Sequence, residues 1–251
     1  MRPVLFRLGD YAVSSFWLAA FAGFFAAFLV VRAQMRQRGM DLRLAYDMTL
    51  WAYIGGWVGA RLFLIPTAWA QFTEDPLAFL TAASGWVWYG GLIGGGLAVT
   101  AWARRQGLAL IDLADIAAPA LAIGLGFGRI GCQLSGDGDY GLPTSLPWGM
   151  SYPDGVVPTN ERVHPTPVYE MVVCFALFGW LWRRRRHSLP RGAQIGTYLM
   201  VAALTRFLIE FLRRNPHWLL GLSTAQWFSL AALLCGGALL ARARVPAPAG
   251  Q

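Results

Sequence analysis

No lysine occurs among the 251 residues, and charged residues of both signs make up only 14% of the chain. A soluble domain carries roughly a quarter, so scarcity on this scale excludes an ordinary water-facing surface. Cysteine is rarer still. Cys132, Cys174 and Cys235 stand far apart, with no spacing suited to a metal, and the last two lie in apolar runs as small buried hydrophobes. No small-residue cleavage site follows the first apolar run, which is long enough to remain as an anchor rather than be removed as a signal peptide. Acids are outnumbered: 13 against 21 arginines, a formal net charge of +8. In a soluble protein that balance points to nucleic acid. Here the arginines cluster in short loops between apolar runs, which suits anionic membrane lipids and topology control and excludes a nucleic-acid partner.

Apolar residues fill the space that charge leaves, at 56% of the chain and a mean hydropathy of +0.45. Runs of about 20 residues, the length that crosses a bilayer core, recur throughout. The pattern predicts an all-α integral membrane protein, a single domain over 1–251 with about seven spans. They cover 14–32, 46–65, 85–102, 113–130, 167–182, 195–212 and 222–240. Arg32, Arg36, Arg38 and Arg43, then Arg104 and Arg105, then Arg183 to Arg186 with Arg191, and finally Arg242 and Arg244 fall in alternate loops. The intervening loops carry Glu74, Asp75, Asp137, Asp139, Asp154 and Glu161. Basic loops face the cytoplasm, which predicts an outer N-terminus and an inner C-terminus. The longest loop, 131–165, is rich in Gly, Pro and Asp and reads as short extended pieces joined by turns. It is expected to form a small outer head over 131–166. The last residues, 244–251, read as a frayed tail.

Against this apolar background the ionisable residues stand out, since each costs about 2.5–3.5 kcal/mol at the centre of a span even on a lenient scale. Arg61, Arg129, Glu170, Arg206 and Glu210 all fall in or at the ends of predicted spans. Arg206 and Glu210 share a helix face through their i,i+4 spacing, either as a mutual lock or as part of a site. Arg129 sits in "GFGRIGCQLSGDGDYG" (126–141), where Gly131 and Gly136 permit a sharp turn. Its planar fork matches a phosphate, and two or three arginines around a common cavity would hold a phospholipid head group. The plainer reading is a helix-end arginine that snorkels to bulk phosphates. "HPTPVYE" (164–170) brings His164, a base or a hydrogen-bonded loop residue, beside Glu170 at a helix start, which the macrodipole favours. Pro165 and Pro167 fix where that helix begins.

Six stretches carry a resemblance: "GARLF" (59–63), "YGGLIGG" (89–95), "LADIAAPALAIGLGFGRIG" (113–131), "HPTPVYE", "RFLIEFLR" (206–213) and "STAQW" (223–227). In their order and separation the chain resembles the bacterial prolipoprotein diacylglyceryl transferases along nearly its full length. The resemblance implies seven spans with a periplasmic head and N-terminus in the bacterial inner membrane. It implies transfer of the diacylglyceryl group of phosphatidylglycerol to the lipobox cysteine thiol of a prolipoprotein signal peptide. A thioether forms, glycerol phosphate leaves, and no metal or cofactor takes part. The arginine of the family's GRxG motif falls on Arg129; that of the penultimate span falls on Arg206, with Glu210 and Arg213 beside it. Arg61, Gly90, Gly91, Glu170 and Gln226 fall in the matching stretches as substrate-binding positions.

The chain departs from the family pattern where Tyr89 replaces the histidine of HGGL, and where Cys132, Ser135 and Asp137 follow GRIG in place of Asn, Asn and Glu. Asp139 adds a further acid. The expected chemistry has Arg129 and Arg206 binding the phosphate and stabilising the leaving oxygen. Asp137, Asp139, His164 or Tyr89 would accept or relay the thiol proton, with Tyr89 ranked as a hydrogen-bond donor to the lipid. A same-fold transferase with another acceptor is the first alternative, motivated by the altered "CQLSGDGDYG". A lipid or solute transporter is the second, although no internal repeat pairs the two halves.

Overall fold

The computed structural model describes residues 1–9, 11–81, 87–187, 189–216 and 219–244. Strands β1 (Val4–Leu8) and β2 (Tyr11–Ser14) form an antiparallel hairpin that leads into helix α1 (Ser15–Gln37). Helices α2 (Arg43–Leu62), α3 (Trp69–Glu74), α4 (Pro76–Thr81), α5 (Trp88–Arg105) and α6 (Leu110–Ser135) follow. Strands β3 (Met150–Tyr152) and β4 (Thr159–Val163) pair antiparallel before α7 (Thr166–Arg184), α8 (Ala193–Glu210) and α9 (Thr224–Arg244). The chain is therefore mostly helical, with two small sheets added to the expected all-α architecture. The N-terminal hairpin was not read from the sequence; β3 and β4 are extended pieces within the expected loop. The start of the third predicted run, 85–86, and the tail, 245–251, lie outside the described residues.

Each predicted apolar run coincides with a long helix. Three of these, α1, α6 and α9, are long and apolar enough to cross a membrane by length and composition. The other four carry their own reasons for lower hydropathy. Arg43, Asp47 and Arg61 lie in α2, five glycines and two arginines in α5, Glu170 in α7, and Arg206 with Glu210 in α8.

Two compact units form, residues 1–34 with 114–251, and residues 35–113. In the second unit α2 and α5 meet through bare backbone. A Cβ placed on Gly59 would fall 2.8 Å from the Cα of Gly94, and one on Gly94 would fall 2.7 Å from the Cα of Gly59. Such small-residue seams let helices associate where the surroundings are as apolar as the side chains.

In the first unit the head is organised by aromatic packing. Tyr140 and Tyr152 stack with centroids 4.9 Å apart, join Val163 in a buried cluster, and are flanked by Met1 and Met150. The N-terminus is tied in by Arg2 N donating to Leu134 O at 3.0 Å. Backbone pairing then fastens the head to the end of α8: Gly141 bridges Arg213, and Leu142 N donates to Leu212 O at 2.7 Å.

Candidate active site

The site begins where α6 stops. Gly136 takes the left-handed conformation (φ 58°) and its N–H closes the last turn onto Cys132 O at 2.9 Å, a glycine C-terminus that other residues adopt only with strain. The chain doubles back through Gly138 (φ 92°), and Asp137 Oδ1 accepts Asp139 N–H at 3.2 Å. This turn lays Asp139 over the last turns of its own helix, next to Arg129.

Six side chains close a ring of alternating charge. Arg129 pairs with Asp139 through Nη1 and with Glu170 through Nε. Glu170 also takes Arg206 Nη1 at 3.2 Å. Arg206 Nη2 reaches Glu210 Oε2 at 2.7 Å, and that same oxygen lies 3.9 Å from Arg213 Nε. Arg213 Nη2 returns to Asp139. Three guanidiniums thus face three carboxylates, and the ring carries no net formal charge. That balance lets six ionised groups stay in an apolar protein, because removing water from any of them alone is costly.

One side of the ring is sealed and the other open. The side chains of Glu170, Glu210 and Arg213 are 5%, 1% and 8% exposed, whereas Arg129, Arg206 and Asp139 keep 16%, 25% and 29%. The sealed side is held by further polar groups. Glu210 Oε1 accepts Ser223 Oγ–H at 2.6 Å and Asn215 Nδ2–H at 2.8 Å. Ser223 in turn begins α9 with a capping box, its Oγ accepting Gln226 N–H at 3.3 Å while Gln226 Oε1 accepts Ser223 N–H at 2.9 Å. Gln226 is fully buried and donates its amide to Phe207 O at 3.4 Å, so it supports the wall behind Glu210.

The two loop acids are driven apart. Burial would raise the Asp139 carboxyl, but Arg129 and Arg213 outweigh it and hold it at about 2. Burial, and then the neighbouring Asp139 charge, push Asp137 above its ordinary value. Asp139 is therefore a permanently ionised ring member, and Asp137 is the more basic of the pair. Cys132 Sγ and the two carboxylates lie within 4.8 Å of one another, a grouping with the donor count for a cation. Arg129 Nη1 stands 3.7 Å from the same sulfur and pairs with Asp139, so a guanidinium already supplies the positive charge there.

His164 stands in the head, where its Nδ1 lies 3.3 Å from Tyr169 Oη. That hydroxyl also accepts Trp148 Nε1–H at 2.9 Å. Arg61, buried in α2, and Tyr89, Gly90 and Gly91 in α5 belong to the unit formed by residues 35–113. The ring adds Arg213 to the expected site residues, together with Ser223 and Asn215 behind it. Arg213 was legible from its place three residues after Glu210 and seven after Arg206 in the same motif, although α8 itself ends at Glu210.

A family model described as prolipoprotein diacylglyceryl transferase matches residues 3–242. Among curated proteins, the phosphatidylglycerol–prolipoprotein diacylglyceryl transferase of Clostridium tetani is 30% identical, covering 94% of this chain and 95% of the relative. The transferase 2 of the same name from Clostridium perfringens is 32% identical over 96% and 94%. That of Geobacter sulfurreducens is 35% identical over 92% and 89%. The chain belongs to the prolipoprotein diacylglyceryl transferase family.

Proposed function

We propose that this protein transfers the diacylglyceryl group of phosphatidylglycerol to the lipobox cysteine of a prolipoprotein signal peptide. It does so as a seven-span enzyme of the bacterial inner membrane, with the N-terminus and the 131–166 head periplasmic and the C-terminus cytoplasmic. The observation that carries this reading is the charge ring, closed on one side and open at Arg129, Arg206 and Asp139. A neutral ring holds its guanidiniums in place without a ligand, so binding the lipid phosphate costs little reorganisation. Arg129 and Arg206 share Glu170, which sets two guanidiniums beside one another where a phosphate can exchange for a carboxylate.

In the reaction the acceptor thiol gives its proton to Asp137, and the thiolate, the reactive form, attacks the primary glyceryl carbon. The S–C bond forms as the C–O bond to phosphate breaks. The electron pair leaves on the phosphate oxygen, where Arg129 and Arg206 stabilise it, and glycerol phosphate departs. His164 orients the head beside the acceptor, and Glu170 and Glu210 hold the arginines. Arg61, Gly90 and Gly91 are assigned to lipid binding by the resemblance alone, and Tyr89, which departs from the family pattern, by the hydrogen-bond donor its hydroxyl offers.

The test is direct. Purified protein incubated with phosphatidylglycerol and a synthetic lipobox peptide should add the mass of a diacylglyceryl thioether to the cysteine. Peptide returned unmodified, with glycerol phosphate absent from the medium, refutes the assignment.

A further inference from the structure

Helix α8 starts in an unusual way. Its N-cap, Gly192, is left-handed (φ 85°) and has no side chain to receive the orphan N–H groups of the first turn. Residues 192–197 are all buried, so water cannot receive them either. The missing acceptor comes from another helix. Asp115 of α6, itself 4% exposed, accepts Gly192 N–H at 2.7 Å on Oδ2 and Ile195 N–H at 2.9 Å on Oδ1. These are the N-cap and N3 groups that a local capping box would serve.

The same two helices carry three members of the ring, Arg129 on α6 and Arg206 with Glu210 on α8. Asp115 precedes Arg129 on α6 by a rise of roughly 21 Å, and Ile195 precedes Glu210 on α8 by roughly 22 Å, at about 1.5 Å per residue. Pinned at one end, the two helices reach the ring at matching heights. Arg129 and Arg206 share the carboxylate of Glu170, so a slip of a single residue, about 1.5 Å, would draw one of the two guanidiniums out of hydrogen-bond reach of it.

We infer that Asp115 is a positioning residue: by capping α8 from α6 it fixes the axial register of the two helices, and with it the assembly of the charge ring. The activity readout rests on the transferase reading; the register itself does not. The experiment compares full-length wild type, Asp115→Ala, Asp115→Asn and Gln194→Ala in phosphatidylglycerol nanodiscs. Gln194 lies in the same first turn and ties it to α7, donating to Leu181 O at 3.3 Å, so its removal loosens α8 without touching the α6 pin.

Asp115→Ala should abolish amide-exchange protection at 192–196 and cut peptide-transfer turnover at least tenfold. Asp115→Asn, which keeps a carbonyl acceptor, should recover part of both. Gln194→Ala should keep turnover within twofold of wild type at a similar loss of melting temperature. Unchanged protection in Asp115→Ala overturns the inference. So does lost protection with full turnover, or a Gln194→Ala loss equal to that of Asp115→Asn. Should Asp115→Ala fail to fold, the contrast between Asp115→Asn and Gln194→Ala decides. A wild type without transfer activity refutes the transferase reading instead, and the exchange contrast still decides the pin.

Discussion

The ring in residues 114–251 and the glycine seam between α2 and α5 solve one problem in opposite ways. Helices in an apolar medium gain little from burying apolar surface, so something else must join them. The seam removes side chains until backbones touch, with Gly59 and Gly94 too close to admit a Cβ. The ring adds the most expensive side chains available and cancels their charges pairwise. Packing alone could be had from the first device. Six buried or partly buried ionised groups are more than packing requires, and the proposed chemistry lies on the side of the three that keep the most exposure, Arg129, Arg206 and Asp139.

Removing the shared counter-charge should produce the largest effect. Glu170→Ala leaves two guanidiniums facing each other in a buried site, and breaking a buried pair costs about 3–5 kcal/mol; the unfolding midpoint in mild detergent should drop sharply, with Glu170→Gln falling less. Next comes the proton acceptor. Asp137→Asn should slow transfer by about 10²-fold or more, with folding intact. Because burial and Asp139 raise the Asp137 carboxyl above its ordinary value, the wild-type rate should fall on the acid side, as the base becomes protonated, at a higher pH than an unperturbed aspartate would give. Asp139, held at about 2, cannot produce that limb, and Asp137→Asn should abolish it.

The seam should break more gently. Gly94→Ala forces a Cβ against backbone and should cost about 1–3 kcal/mol of overpacking. Gly96→Ala on the same helix meets nothing within 4 Å and should be neutral or slightly stabilising, by up to about 1 kcal/mol; equal melting temperatures for the two variants would contradict the seam. The smallest effect belongs to the exposed pair of Arg214 and Glu161, 3.0 Å apart with side chains 43% and 64% exposed. Arg214→Ala should shift stability by under about 1 kcal/mol.

Much of this architecture is legible in the sequence. Hydrophobic run length located the seven long helices to within a few residues, because a run of about 20 apolar residues has few other uses. The ends were less clear: α6 runs to Ser135 rather than 130, since nothing in Gly131 to Leu134 halts a helix until Gly136 turns left-handed. Arg206 and Glu210 showed their pairing through local spacing. Asp139 and Arg213 could not, because 74 residues separate them and the backbone pairing at Gly141 and Leu142 brings them together. Asp115 was invisible for the same reason, being a cap whose helix begins 77 residues later. The Ser223–Gln226 capping box, by contrast, stands plainly in "STAQ". Long-range polar partners are what a single sequence hides, and here they build most of the site.

The central claim is that Arg129 and Arg206 grip one lipid phosphate as planar forks. Turnover of phosphatidylglycerol with a lipobox peptide should fall at least about 10²-fold in Arg129→Lys and in Arg206→Lys, since an ammonium keeps the charge and loses the bidentate geometry. Turnover near the wild-type rate in both variants, with the protein folded, would contradict it.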